Sequence, residues 1–207
     1  MSSPDDAPEH GSKGALGTDP PHVLRIAVVG AECTGKTTLC RQIAQRHGGL
    51  WVPEALREFV DAQGRAPMVH EQPGLMADQI AREHAAQAEA QQRGGTLVAL
   101  DSAPLVTALY SRLYFDDSAL LAAATDHHRR YDLTLLADTD LPWEPDGLQR
   151  DGPAMRIRFH ALLVDWLTRE SLGFIRIAGS DGARLAAALT AIDALDPPAS
   201  HARRAPR

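Results

Sequence analysis

Gly30-Ala31-Glu32-Cys33-Thr34-Gly35-Lys36-Thr37 fits the pattern G-x-x-x-x-G-K-[ST], the loop that cradles phosphate groups in P-loop proteins. Each residue type has a physical reason. Gly30 and Gly35 let the backbone curl tightly enough for successive N–H groups to face one concavity. That concavity opens onto a helix N-terminus, where unpaired N–H groups and the helix dipole favour anions. Lys36 can reach the outer phosphates, and the Thr37 hydroxyl can ligate Mg²⁺. The whole run from Gly30 through Thr38 is the expected nucleotide-binding segment.

The surroundings supply the context the pattern requires. Val23 to Val29 (VLRIAVV) reads as a buried strand running into Gly30, and Thr37 to His47 as a helix with Leu39, Ile43 and Ala44 on one face. Gly48 follows as its stop. The chain has only two lysines, Lys13 and Lys36. Lys13 lies in a polar tail, so Lys36 is the one lysine of the foldable part.

Composition sets the outer bounds. With 207 residues and 44% hydrophobic content, the chain suits one globular domain with a full core. A formal net charge of -6 argues against a nucleic-acid-binding surface. No run approaches the 18 apolar residues of a membrane span, and the acidic N-terminus does not read as a secretory signal. Two cysteines, Cys33 and Cys40, are too few for a disulfide framework and suit a reducing cytoplasm. Cys33 reads as a small residue tolerated in the loop rather than a redox switch.

Residues 1–21 are rich in Pro, Gly, Ser and Asp and are expected to be disordered; residues 197–207 form a short basic tail. Residues 22–196 should make a single domain. Apolar strands are expected at Leu50–Val52, Thr96–Leu100, Leu133–Ala137 and Phe174–Ala178. Helical patterns lie between them, including Glu71–Arg93, Pro104–Phe115, Ser118–His128 and the stretch opened by Pro153, with a last helix at Ala183–Leu195. This alternation predicts an α/β fold, a five-stranded parallel sheet covered on both faces by helices. The polar stretch Asp138–Gly152, punctuated by prolines and glycines, is long for a connection and reads as a lid.

Ligands of such sheets bind outside the carboxyl ends of the strands. Gly30, Glu54, Asp101, Asp138 and Gly179 each follow a strand and should share that edge. Asp101 closes an apolar strand as a Walker B aspartate does, where it can hold Mg²⁺ or accept the proton of an attacking hydroxyl; it could equally cap the next helix. Glu54 and Arg57 could grip a substrate hydroxyl and an anionic group, or form an exposed ion pair one turn apart. Arg150 and Arg156, in or beside the lid, could act as catalytic cations over a transferring phosphoryl group. Trp143 could stack on a planar ring or anchor its loop. Gly179-Ser180-Asp181-Gly182 could line an adenine ring or be an ordinary turn. His127-His128 reads as a solvated helix end. No Cys/His grouping has zinc-ligand spacing.

Several P-loop classes are excluded. The chain has no asparagine and no lysine after Lys36, so the guanine-reading [NT]-K-x-D motif cannot exist. No L-S-G-G-Q-like signature appears, and the length leaves no room for the helical second domain of AAA+ machines. A compact kinase-like domain remains.

The residues resemble a known family. Gly30 to Leu39 is similar to the G-x-E-S-S-G-K-S-T-L loop of the ribosylnicotinamide kinase domain in the bacterial NAD-biosynthesis regulator. Pro53 to Val60 (PEALREFV) is similar to its P-E-x-x-R-E-[YF]-[VI], Asp101-Ser102 with Thr107 to its D-[TS]-x-x-x-x-T, and Pro142 to Leu148 (PWEPDGL) to its P-W-x-x-D-G-[LT] lid segment. Cys33-Thr34 replaces the usual Ser-Ser, and Gln149 stands where many relatives have arginine. The resemblance implies a P-loop kinase fold using ATP and Mg²⁺, and phosphoryl transfer to the 5′-hydroxyl of a nucleoside, nicotinamide riboside in particular. It places Lys36 and Thr37 at the phosphates and metal, Asp101 as metal or base carboxylate, Glu54 and Arg57 near the acceptor, and Asp146, Arg150 and Arg156 in the lid. No H-x-G-H adenylyltransferase motif occurs, so the expectation is a stand-alone kinase-like domain. A nucleotide-gated regulatory ATPase acting on a protein partner is the alternative.

Overall fold

A computed structural model describes residues 22–143 and 152–195. The two terminal tails therefore lie outside the described residues, as do Asp146 and Arg150 of the expected lid.

Five strands form one sheet in the order β2-β3-β1-β4-β5, every pairing parallel. They are β1 (Leu24–Val29), β2 (Leu50–Val52), β3 (Leu97–Asp101), β4 (Leu133–Ala137) and β5 (Ile175–Ile177). β3 and β4 are buried along their whole length, which is why they read as continuous apolar runs and not as alternating ones. Seven α-helices occur among the described residues: α1 (Lys36–His47), α2 (Ala55–Gln63), α3 (Gln72–Gln92), α4 (Pro104–Phe115), α5 (Leu121–His128), α6 (Gly152–Arg169) and α7 (Asp181–Asp193). A 3-10 turn, Val69–Glu71, leads into α3.

The pleat of the sheet sorts the core into two halves. Ile26 and Val28 of β1 face α1 and α7, packing with Leu39, Ile43, Ala188 and Ile192. Ala27 and Val29 face the other way, onto Leu105, Leu109, Phe159 and Leu163 from α4 and α6. Phe159, 1% exposed, stacks on Tyr110 at 4.0 Å between centroids. Helices thus cover both faces. Leu56 and Val60 of α2 pack on Leu75 of α3, which fixes α2 beside the carboxyl edge of β2. No described helix is long and apolar enough to cross a membrane.

His127 and His128 depart from the expectation of a solvated helix end. They are only 7% and 3% exposed. His127 Nε2 lies 2.8 Å from Glu83 Oε2 of α3. Tyr131 donates its hydroxyl to the same carboxylate at 3.0 Å, and His128 Nε2 lies 3.0 Å from Thr134 Oγ1. The doubled histidine looks hydrophilic in a linear reading. Its partners are 44 and 6 residues away, and only the folded chain brings them in.

Burial holds His128 well below the ordinary histidine value of 6.5, down to about 4, with neighbouring His127 adding to the effect. An unfolded chain takes up this proton as pH falls through 6.5, while the folded chain does so only near 4. Stability from this group is therefore fully present above 6.5 and lost between 6.5 and about 4. The gap corresponds to roughly 3 kcal/mol. Denaturant unfolding measured across this window should show a loss of that order, and His128→Gln should flatten the profile. An unchanged profile in the variant would contradict the buried neutral imidazole.

Candidate active site

β1 delivers the chain to Gly30 at the middle of the sheet, and α1 starts six residues later. Gly30 (φ 155°) cannot carry a side chain, because a Cβ there would lie 2.8 Å from Ala137 O at the end of β4. Gly35 (φ 77°) is the left-handed N-cap of α1. It makes no side-chain cap, so the first-turn N–H groups that a helix leaves unpaired remain available to an anion. Cys33 also has positive φ, at 52°, a conformation costing a non-glycine residue on the order of 1–2 kcal/mol. Thr34 Oγ1 and Lys36 Nζ both donate to Ala31 O at 2.8 Å.

A cavity of about 520 Å³ opens over this loop. Residues 32–38, Glu54, Arg57, Tyr110 and Leu141 line it. The structure therefore brings Lys36, Thr37, Glu54 and Arg57 to one space, although Glu54 and Arg57 come from the end of β2 and from α2. Arg57 is exposed and Glu54 half-buried.

Glu54 sits at the N-cap of α2 yet makes no side-chain cap. Gln79 of α3 does that work instead, accepting the Ala55 N–H at 2.9 Å through Oε1. The Glu54 carboxyl is left to the cavity, where it bonds the Ser102 side chain. Burial raises its pKa above the usual carboxylate range; the Lys36 charge opposes the rise and the Asp101 charge adds to it. Ser102 itself is 3% exposed with φ 76°, a strained position immediately after Asp101.

Asp101 ends β3 and is 2% exposed, with Oδ1 unpartnered. A buried carboxylate oxygen with no hydrogen bond calls for a cation or water. Asp101 and the Thr37 hydroxyl, in the first turn of α1, are oxygen donors of the kind that suits Mg²⁺, an ion that keeps waters and shares phosphate oxygens. Cys40 lies behind, its thiol pushed up by burial and by the Asp101 charge, so it stays protonated.

Arg156 does not sit as a lid cation would. It is 4% exposed, and Nη2 donates to Cys33 O at 3.2 Å and Leu141 O at 3.0 Å. Trp143 donates Nε1 to Glu32 Oε1 at 3.2 Å, tethering its loop to the phosphate loop. Arg184 of α7, only 2% exposed, belongs to the site's framework and went unread in the sequence. It donates to Gly179 O at 2.9 Å and Thr34 O at 3.0 Å and pairs with Asp140. Gly179 N–H donates to Asp140 at 2.5 Å, which with the Arg184 charge holds that carboxyl below its ordinary range. A signal existed. Arg184, Ala188 and Ile192 recur at helical spacing on the buried stripe of α7, and Arg156, Phe159 and Leu163 do so on α6. An arginine on an apolar stripe must find acceptors inside.

Comparison with known proteins bears on the family and the fold. The chain is 27% identical over 161 residues to the trifunctional NAD biosynthesis/regulator protein NadR of Escherichia coli (strain K12), covering 77% of this chain and 39% of that protein. The chain thus spans less than half the length of that curated relative. A NadR protein solved in complex with NR superposes with a TM-score of 0.67 at 22% identity, over 84% of this chain and 50% of that one. Thymidylate kinase from Ehrlichia chaffeensis superposes with a TM-score of 0.56 at 16% identity, over 85% of this chain and all of that one. The fold is that of the P-loop NTPases, in the form shared with these kinases. Residues 25–184, from β1 into α7, match the family described as the AAA domain, and the chain belongs to that family.

Proposed function

We propose that the chain is an ATP-dependent kinase that transfers the γ-phosphoryl group to the 5′-hydroxyl of a nucleoside-like alcohol, nicotinamide riboside foremost. One observation carries the reading: Glu54 and Arg57 line the same cavity as Lys36 and Thr37. A carboxylate suited to a hydroxyl and a cation suited to an anionic group thus stand beside the phosphate loop. Likeness to a NadR protein bound to NR supports nicotinamide riboside as the acceptor to try first.

In this reading residues 30–38 wrap the phosphates, and Lys36 leaves Ala31 O for the outer phosphate oxygens. Thr37 and Asp101 would hold Mg²⁺, which when bound neutralises charge on the phosphate oxygens. Glu54 is the base rather than Asp101, because Glu54 lines the cavity and Asp101, 2% exposed, is not among its lining residues. The acceptor O–H gives its proton to Glu54 as its oxygen bonds to phosphorus. The bond from phosphorus to the bridging oxygen breaks, and ADP leaves. Tyr110 offers a ring at the cavity wall for a planar base, and acceptor binding is the role assigned to Trp143 and to Asp146, the latter outside the described residues. Arg150 would supply the cation over the transferring group. Acceleration comes from positioning and charge neutralisation.

A coupled ADP-release assay with MgATP and a nucleoside panel tests this. Stimulation by nicotinamide riboside or another nucleoside is expected, and Lys36→Ala should cut it by ~10²-fold or more. ATP consumption that ignores every nucleoside and responds to a protein partner would instead favour a nucleotide-gated regulator.

The raised pKa of Glu54 has two signed consequences. Activity should fall on the acid side at a pH above the ordinary carboxylate value of 4.5, as the base becomes protonated. Stability works the other way: a carboxyl with a raised folded-state pKa stabilises the folded chain at low pH, and that contribution is lost as pH rises through the folded value. Glu54→Gln should therefore melt higher than wild type at neutral pH, with the gain shrinking as pH falls. A variant less stable at neutral pH would contradict the partly desolvated carboxylate.

A further inference from the structure

A loop that turns its N–H groups toward phosphate sends carbonyl oxygens back into the fold, and these need donors. Two consecutive carbonyls of the phosphate loop receive theirs from separate buried guanidinium groups. Cys33 O accepts from Arg156 of α6 at 3.2 Å, and Thr34 O from Arg184 of α7 at 3.0 Å. Neither arginine is among the residues lining the cavity, and they are 4% and 2% exposed.

Each arginine also holds the chain just beyond β4. Arg156 donates to Leu141 O at 3.0 Å. Arg184 donates to Asp138 O at 3.2 Å, pairs with the Asp140 carboxylate and donates to Gly179 O at 2.9 Å. Asp140 closes the circuit by accepting the Gly179 N–H. The ends of β1, β4 and β5 thus meet at one guanidinium.

These placements are costly by themselves. A cation in the first turn of a helix opposes the dipole, as Arg184 does in α7. A buried guanidinium without acceptors is strongly destabilising. The loop carbonyls offset part of this cost for both arginines and Asp140 does so for Arg184, while Arg156 Nε is buried with no hydrogen-bond partner among the described residues. Cys33, whose carbonyl Arg156 bonds, has φ 52°.

We infer that Arg156 and Arg184 are positioning residues: they hold the phosphate loop in its anion-binding shape from behind, and Arg184 with Asp140 locks that loop to the ends of β4 and β5. The inference rests on the nucleotide-binding part of the function proposed above. It gives Arg156 a different duty from a cation acting on the transferring phosphoryl group, and the two duties differ in what ADP should feel. ADP lacks the group that is transferred, so a cation serving only that group leaves ADP affinity alone. A residue that shapes the loop affects ADP and ATP alike.

The test is calorimetric binding of ADP to the full chain and to Arg156→Lys and Arg184→Lys, with cooperative thermal unfolding as the check on folding. Lysine keeps the charge but replaces the planar five-donor fork with a single ammonium on a different stem, so its donors cannot sit where the guanidinium's do. Each variant should bind ADP roughly tenfold or more weakly, the scale for losing a charged hydrogen bond. KM for ATP should rise in parallel while kcat at saturating ATP changes less. Asp140→Asn removes the half-exposed anchor without touching the loop, should fold even where a lysine variant does not, and should weaken ADP binding several-fold. Wild-type ADP affinity in the folded variants, with kcat lowered in Arg156→Lys, would overturn the inference and return Arg156 to the transferring group. A wild-type chain that binds no ADP would overturn the nucleotide reading itself, and this inference with it.

Discussion

Everything at the carboxyl edge of the sheet depends on one conformational demand, the tight turn from Gly30 to Lys36. Its N–H groups serve an anion only if its carbonyls are satisfied elsewhere. The chain meets that demand locally at Ala31 O, through Thr34 and Lys36. At Cys33 O and Thr34 O it does so from a distance, through arginines 123 and 150 residues away in sequence. The phosphate loop is therefore the point where α1, α6, α7 and the ends of three strands are made consistent with one another. Its close approach to β4, where no Cβ fits at Gly30, leaves little room for any other arrangement.

The α2 side of the cavity follows a similar logic. A glutamate at a helix N-cap would ordinarily satisfy its own helix. Here Gln79 reaches across from α3 to take the Ala55 N–H, and Glu83, His127 and Tyr131 hold that stretch of α3 in a buried polar network. Glu54 keeps its carboxyl for the cavity. Strain gathers in the same place: Cys33 and Ser102 both have positive φ, and Asp101 keeps a buried oxygen without a partner. Such features cost stability and persist where function selects them.

The strands, the loop and most helices were legible because their signals are local. Continuous apolar runs at residues 97–101 and 133–137 mark buried parallel strands, and the phosphate loop announces itself by glycine spacing and its single nearby lysine. Glu54, Arg57 and Asp101 could be named from their places after strands. Arg184, Gln79 and the buried histidines could not be assigned this way, because their roles are set by partners brought in from across the fold. Arg156 shows the limit most sharply. Its neighbourhood beside a proline-punctuated loop suggested an exposed cation, whereas its place on the apolar stripe of α6, with Phe159 and Leu163, called for burial.

Under the proposed function, this edge moves a phosphoryl group to an alcohol rather than to water. Phosphorus NMR of the reaction with MgATP and nicotinamide riboside follows the γ-phosphorus directly. Its signal should reappear as a phosphomonoester in step with ADP. Accumulation of inorganic phosphate alone, with this or any nucleoside present, would contradict it.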